Sequence, residues 1–306
     1  MKIKVIGTGL TGLVGSRIVE LLEDRYEFDN ISYESGIDIT NKDQVEKKVV
    51  DSPAGVLLHL AAKADVDGCE KDRDEDSKKL KNQESEKISG LNTAWAVNVE
   101  GTRNIVEACQ KSAKKIIYIS TDFVFDGKNP PAGGYIEEDT PNPTNWYAKT
   151  KYEGEKIVVN SGLSYLICRI AFPYRASFAP KKDLVRGILE KLKNKQVVYM
   201  VTDEIITPTF IDDIAGAFDF LIKNDITGIY HVVGSSSHSP LELGHLIAQT
   251  FSLNESLIKE TTRAIYFANR AARPFSLALK NDKLTKLGIK MSTFQEGLEK
   301  IKAQLL

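Results

Sequence analysis

Tyr147 and Lys151 form a Tyr-x-x-x-Lys, a phenol and an ammonium on one face of any helix that carries both. An ordinary phenol, with a pKa near about 10, is a poor acid–base catalyst at neutral pH. A nearby ammonium, together with an oxidised nicotinamide, favours the phenolate and lowers that value. Lys151 can also hold a nicotinamide ribose. The spacing alone is common, and Lys149 and Tyr152 lie beside it. It gains meaning from Thr8-Gly9-Leu10-Thr11-Gly12-Leu13-Val14-Gly15 near the amino terminus.

These glycines read as Gly-x-Gly-x-x-Gly at Gly7, Gly9 and Gly12, or as Gly-x-x-Gly-x-x-Gly at Gly9, Gly12 and Gly15. Glycine is required where a chain turns with positive φ or brings its backbone against a phosphate. A helix opening there presents amide N–H groups and its positive dipole end to a pyrophosphate. The plain alternative is an ordinary tight turn. Glu34 follows the second predicted strand, where an acid can bond an adenosine ribose and repel a 2′-phosphate. No Lys or Arg lies between Tyr33 and Asn41, so NAD(H) is favoured and NADP(H) stays open. Asp38 is a candidate for the adenine edge or for a helix cap. Ala61 and Ala62 are small enough to let a cofactor approach, and His59 reads as a half-buried structural histidine. Ser120-Thr121-Asp122 closes another strand, and ligands of such sheets sit beyond the carboxyl ends of the strands. Thr121 is therefore placed to bond the reacting oxygen.

The elements that must position these residues alternate. Strands are expected at Lys2–Ile6, Ile31–Tyr33, Gly55–Leu60, Lys115–Ser120 and Tyr165–Ile170. Helices are expected at Leu13–Leu22, Val45–Val50, Trp95–Ser112 and Asn145–Val159. This rhythm predicts an α/β fold, a doubly wound parallel (Rossmann) sheet. Beyond Ala171, helices at Leu184–Leu192, Ile211–Ile222, Leu241–Phe251 and Phe294–Leu305 alternate with strands at Val197–Val201 and Ile229–Val233. The expected division is a dinucleotide-binding domain over 1–170, with 205–235 packing back onto it. Residues 171–204 and 236–306 form a smaller C-terminal α/β substrate lobe. Lys71–Lys87 is almost wholly polar and is expected to be a solvated loop or a frayed helical extension.

Composition narrows the class. The chain has 306 residues, 42% of them hydrophobic, with a net charge of −1, so nothing points to nucleic acid or a membrane surface. Cys69, Cys109 and Cys168 lack metal-ligand spacing and suit a reducing cytoplasm better than a disulfide framework. No paired carboxylates or histidine cluster call for a metal. There is no signal-peptide pattern, and the expected location is cytoplasmic.

Taken together, the chain resembles the extended short-chain dehydrogenase/reductase family over nearly its whole length. Thr8–Gly15 is similar to the family's Thr-Gly-x-x-Gly-x-x-Gly, and Asn98-Val99-Glu100-Gly101-Thr102 to its Asn-Val-x-Gly-Thr helix. Residues 61–67, 120–127, Thr207-Pro208-Thr209 and Arg273-Pro274 resemble the dTDP-4-dehydrorhamnose reductases within it. The resemblance implies Thr121, Tyr147 and Lys151 as the catalytic set. It implies Gly12, Leu13, Val14, Glu34, Asp38, Ile39, Ala61, Ala62 and Lys63 against the dinucleotide, besides Gly9 and Gly15 of the turn. Thr121, Asp122 and Phe172 would face a sugar nucleotide, and Arg273 joins them as a substrate-binding candidate. Phe172 stands where that family has Trp, and Asp203-Glu204 where it has Asp-Gln. Sugar-nucleotide 4,6-dehydratases carry Thr-Asp-Glu at this strand end; Phe123 here cannot take a proton, which disfavours dehydration. The implied activity is NAD(P)H-dependent reduction of the C4 ketone of a nucleotide-linked 4-keto-6-deoxysugar. Two alternatives stay open: a sugar-nucleotide epimerase, and a non-catalytic subunit resembling the regulatory subunit of methionine adenosyltransferase. A homodimer is also open.

Overall fold

A computed structural model describes residues 2–82 and 91–306. The chain separates into two compact units. The first holds residues 1–124, 143–168 and 225–229; the second holds 125–142, 169–224 and 230–306. The expected division differs in its details, since 125–142 and most of 205–235 count with the second unit.

The main sheet has six strands in the order β2-β1-β3-β4-β5-β9. They are β1 (Ile3–Thr8), β2 (Tyr26–Ile31), β3 (Val56–His59), β4 (Lys115–Thr121), β5 (Tyr165–Ile170) and β9 (Gly228–His231). β1 pairs in parallel with β2 and β3, and β3 with β4. Every residue of β4 is buried, as expected of a central parallel strand covered on both faces. The second strand departs from expectation, because it is Tyr26–Ile31, and Tyr33–Ser35 forms a short 3-10 turn. Its alternation of Tyr26 and Phe28 with Glu27 and Asp29 suits an edge position, where polar side chains reach water.

Helices α1 (Gly15–Leu22), α2 (Lys42–Asp51), α3 (Val66–Lys81), α4 (Gly101–Lys111) and α5 (Trp146–Val159) complete the first unit. Its core joins Ile6, Leu57, Ile116 and Ile167 of the sheet to Val45, Ile105 and Val158 of the helices. Of the two options for Lys71–Lys87, α3 gives the helical one over residues 71–81, and 83–87 lie outside the described residues. The helix expected from Trp95 instead opens as a π-helical turn at Ala96–Glu100 before α4 begins.

In the second unit, β6 (Pro173–Tyr174) pairs in parallel with β8 (Thr209–Phe210), and β7 (Val198–Val201) with β10 (Ile258–Thr261). Helices α6 (Leu184–Lys193), α8 (Pro240–Thr250) and α11 (Phe294–Leu305) enclose a core of Tyr174, Leu189, Ile247, Phe294 and Leu298. α8 and α11 each start on a capping box, Ser239 with Glu242 and Thr293 with Glu296. Among the described residues, no helix is long and apolar enough to cross a membrane.

Candidate functional site

The glycine turn leaves β1 and enters α1. Gly9 has φ +68°, and a Cβ on it would lie 2.7 Å from the amide nitrogen of Ala61. A Cβ on Gly15 would overlap the carbonyl oxygen of Gly9. Gly12 N–H donates to that same carbonyl at 3.1 Å, which closes the turn. The backbone is therefore folded tightly on itself and onto the end of β3. α1 begins at Gly15 rather than Leu13, has no side-chain cap, and carries no acid in its first turn. Its positive end is not offset by an acid in its own first turn.

Beneath the turn, Thr8 and His59 join β1 to β3. The Thr8 hydroxyl accepts from Ala61 N–H at 3.0 Å and sits 2.6 Å from His59 Nδ1. His59 Nε2 lies 3.0 Å from the Thr102 hydroxyl, which donates to the Asn98 carbonyl at 2.8 Å. Burial, with the Lys151 ammonium nearby, lowers His59 to about 3. The ring stays neutral and acts as a spacer between strand and helix.

Glu34 is exposed in the Tyr33–Ser35 turn. Asp38 accepts from Thr40 N–H at 2.8 Å, while Asn41 provides the cap of α2. Capping, one of the two options for Asp38, thus falls to Asn41. Ile39 is buried beneath this loop. Ala61, Ala62 and Lys63 are half-buried beyond β3. Lys63 is held on three sides: its N–H donates to Asn98 Oδ1 at 2.8 Å, its Nζ donates to the Asn92 carbonyl at 2.8 Å, and Nζ pairs with Asp72 at 2.7 Å.

α5 starts at the Asn145 cap, whose Oδ1 accepts from Ala148 N–H at 2.8 Å. That start places Tyr147 one residue into the helix and Lys151 one turn further. The Tyr147 phenol stands near the side chain of Thr121, at the end of β4. Thr121 also donates to Asp122 Oδ1 at 3.0 Å and accepts from Phe123 N–H at 3.2 Å. Phe123 packs edge-on to Tyr147, with ring centroids 6.1 Å apart. Lys151 is 3% exposed, and its Nζ stands 4.0 Å from the Tyr118 ring centroid.

The electrostatics differ from the expected ones. Burial pushes the Tyr147 phenol well up, the nearby Thr121 side chain pulls it back, and the nearby Asp122 adds to the rise. Burial also lowers Lys151 to about 7, against the pull of Glu155 one turn further along. A low-dielectric site penalises both charges, so the neutral phenol is the resting form.

Several site residues escaped the sequence reading. Asn98 sits in the π-helical turn; its amide donates to the Lys63 carbonyl at 3.0 Å and to Thr150 at 2.9 Å. Thr150 in turn donates to the Tyr147 carbonyl at 2.9 Å. The Asn-Val-x-Gly-Thr resemblance, which names Asn98 without giving it a place in the site, was the available signal. Tyr118 lies on β4 beside Gly154, where a Cβ would overlap its hydroxyl, so only glycine lets α5 approach.

The first unit thus brings together Gly9, Gly12, Leu13, Val14, Gly15, Ala61, Ala62 and Lys63 in neighbouring loops, and Thr121, Asp122, Tyr147 and Lys151 at one strand end and helix. Phe172 and Arg273 belong to the second unit. Phe172 has φ +40° and packs against that unit's core. The Arg273 guanidinium lies 5.2 Å from the Phe267 ring centroid and donates to the Ala271 carbonyl at 2.7 Å. Among the described residues, no group of three or more His, Cys, Asp or Glu side chains could hold a metal ion.

The model of the RmlD substrate binding domain matches residues 1–306. The chain belongs to this family. Its relatives include the dTDP-4-dehydrorhamnose reductase of Aggregatibacter actinomycetemcomitans, 29% identical over 98% of both chains. The methionine adenosyltransferase 2 subunit beta of Bos taurus is 27% identical over 97% of this chain and 86% of that one. Among solved structures, the dTDP-4-dehydrorhamnose reductase of Bacillus anthracis in complex with NADP is 29% identical, with a TM-score of 0.85 over 99% of this chain and all of that one. For an RmlD-family chain the six-stranded, mostly parallel sheet is the expected frame, and the Thr121–Tyr147 pair stands at the carboxyl end of one of its strands.

Proposed function

We propose that this chain is an oxidoreductase that reduces the C4 ketone of a nucleotide-linked 4-keto-6-deoxysugar with NADH or NADPH. The observation that carries the reading is a Tyr147 phenol kept protonated by burial near Thr121 at the end of β4, with Lys151 one turn away. Reductase relatives matched over almost the whole chain support the same class.

The turn suits a dinucleotide, because its backbone packs too closely for side chains at Gly9 and Gly15 and α1 begins there with no side-chain cap and no acid in its first turn. Gly9, Gly12, Leu13, Val14 and Gly15 would hold its pyrophosphate. Glu34, Asp38 and Ile39 would take the adenosine side, and Ala61, Ala62 and Lys63 the middle. When bound, this cofactor supplies the hydride that C4 accepts. Thr121 orients the carbonyl oxygen by hydrogen bonding. The Tyr147 O–H bond breaks as a new O–H forms on the substrate oxygen, and water returns the proton to the phenolate. Lys151 bonds the cofactor ribose and, when charged, steadies that phenolate. Asp122 is the proposed sugar-nucleotide contact of the first unit; Phe172 and Arg273, in the second, are candidates taken separately.

Glu34 and the absence of cations between Tyr33 and Asn41 favour NADH. The NADP complex of the Bacillus anthracis relative keeps NADPH in the comparison. The test is oxidation of each cofactor with a dTDP-4-keto-6-deoxysugar, for the parent chain and Tyr147→Phe. The variant is expected to bind dinucleotide but lose roughly 10²–10⁴-fold in turnover. Equal turnover by both proteins would refute the mechanism. Likeness to the methionine adenosyltransferase subunit supports a second reading, a binding subunit, which co-purification with a synthetase would favour.

A further inference from the structure

We propose that Asp76, assisted by Glu70 of the same helix, is a positioning residue that sets the first turn of α5 and thereby the seat of the Tyr147 phenol. This rests on the reading of Tyr147 as proton donor. Asp76 is fully buried on α3. Its Oδ2 accepts from the Trp146 indole N–H at 2.8 Å and from Trp95 N–H at 3.1 Å. Glu70 Oε2 accepts from Trp146 N–H, the first amide of α5, at 2.8 Å. Trp146 immediately precedes Tyr147, so both its backbone and its ring are fixed from α3. The ring also stacks on Trp95, with centroids 5.8 Å apart.

The same helix reaches the opposite side of the site. Asp72 Oδ2 accepts from Ala94 N–H at 2.8 Å and pairs with Lys63 Nζ at 2.7 Å. Three carboxylates of one helix therefore hold the start of α5, the strap before the π-helical turn, and the loop beyond β3. Asp76 Oδ1 is buried without a hydrogen-bond partner among the described residues. A buried carboxylate with an unsatisfied oxygen opposes stability, so a bracket serving stability alone has cheaper solutions. What the carboxylate supplies is an acceptor that two N–H groups of different segments must share, which fixes their geometry.

The experiment compares Asp76→Ala, which removes the shared acceptor, Trp146→Phe and the double variant. Trp146→Phe removes the indole donor and keeps an aromatic ring. Each single variant is expected to lower kcat by roughly 10–100-fold. KM for cofactor and sugar nucleotide should stay within about twofold, and the double variant should be no worse than the poorer single one. The ¹³Cζ resonance of Tyr147, assigned with Tyr147→Phe in tyrosine-labelled protein, should move in both single variants. A lowered melting temperature with an unmoved Tyr147 resonance would overturn the proposal, as would additive losses in kcat. Because the resonance needs no substrate, it decides the matter even if the parent chain turns over no keto-sugar, a result that would sink the reductase reading instead.

Discussion

Gly9 and Gly36 both adopt left-handed backbone, with φ of +68° and +76°, yet only Gly9 is crowded. A Cβ on Gly36 would meet nothing within 4 Å, whereas one on Gly9 would lie 2.7 Å from Ala61 N and 2.9 Å from Ala61 Cα. Alanine at either position bears the left-handed penalty of about 1–2 kcal/mol. At Gly9 the added carbon meets backbone that is also hydrogen-bonded to Thr8, and overpacking there adds about 1–3 kcal/mol. Gly36→Ala should therefore lose about 1–2 kcal/mol and Gly9→Ala about 2–5 kcal/mol. With a urea dependence of about 3 kcal/mol/M, the Gly9→Ala midpoint should fall by roughly 1 M. Equilibrium urea unfolding of both variants, with dinucleotide titration by nicotinamide fluorescence, reads the two effects separately. Gly36→Ala should bind dinucleotide normally, and Gly9→Ala weakly. Equal losses of stability, or full dinucleotide affinity in Gly9→Ala, would refute the idea that close backbone approach, rather than φ alone, requires this glycine.

Lys151→Met should be compared with the parent across pH. The folded value of Lys151, about 7, lies below its ordinary 10.5, so the unfolded chain holds the extra proton between those values and parent stability rises with pH through that window. Below pH 7 both states carry the proton and the full cost of burying the ammonium is present; the stability of Lys151→Met relative to the parent should therefore fall as pH rises from 7 to 10, and a flat difference curve would refute the burial argument. Glu34→Arg should move cofactor preference toward NADPH by roughly three- to tenfold, the scale of one exposed charge pair, read as the ratio of kcat/KM for the two cofactors. An unchanged ratio would remove Glu34 from the ribose site. Gly154→Ala should cost about 1–3 kcal/mol, because its Cβ would overlap the hydroxyl of the fully buried Tyr118, and a neutral result in thermal unfolding would show that α5 can shift.

Much of this site was legible because strand ends and helix starts have local chemistry. A β-branched run ending at Gly7 and an apolar run ending at Ser120 mark the carboxyl edge of the sheet, and Asn145 marks where α5 must begin. Phe294–Leu305 was legible for the same reason, with Thr293 as its cap. β2 was misplaced because an edge strand tolerates Glu27 and Asp29, which erase the apolar run that a central strand shows. α3 was legible only as one of two options, and its role not at all, for a deeper reason. Its half-buried and buried side chains include Asp72 and Asp76, which enter the interior as acceptors for N–H groups more than a dozen positions away. Hydropathy sees only solvation in such a segment. Nor does spacing reveal pKa: the Tyr147–Lys151 interval places two groups on one face but is silent on how dry that face is.

That dryness gives the site a direction. A reductase begins with a phenol that has a proton to give, and burial together with Asp122 keeps Tyr147 in that form. Alcohol oxidation begins with the phenolate, which the same burial disfavours. Reduction should consequently show no loss traceable to Tyr147 between pH 6 and 9, and any inflection near pH 7 should belong to Lys151 and vanish in Lys151→Met. Oxidation should instead keep rising toward alkaline pH. The two directions, followed at the nicotinamide absorbance over the same buffers, test this jointly. An inflection near pH 7 in the reduction profile that survives Lys151→Met would mean that Tyr147 ionises far more easily in the working site than its surroundings allow, and the argument from burial would fail.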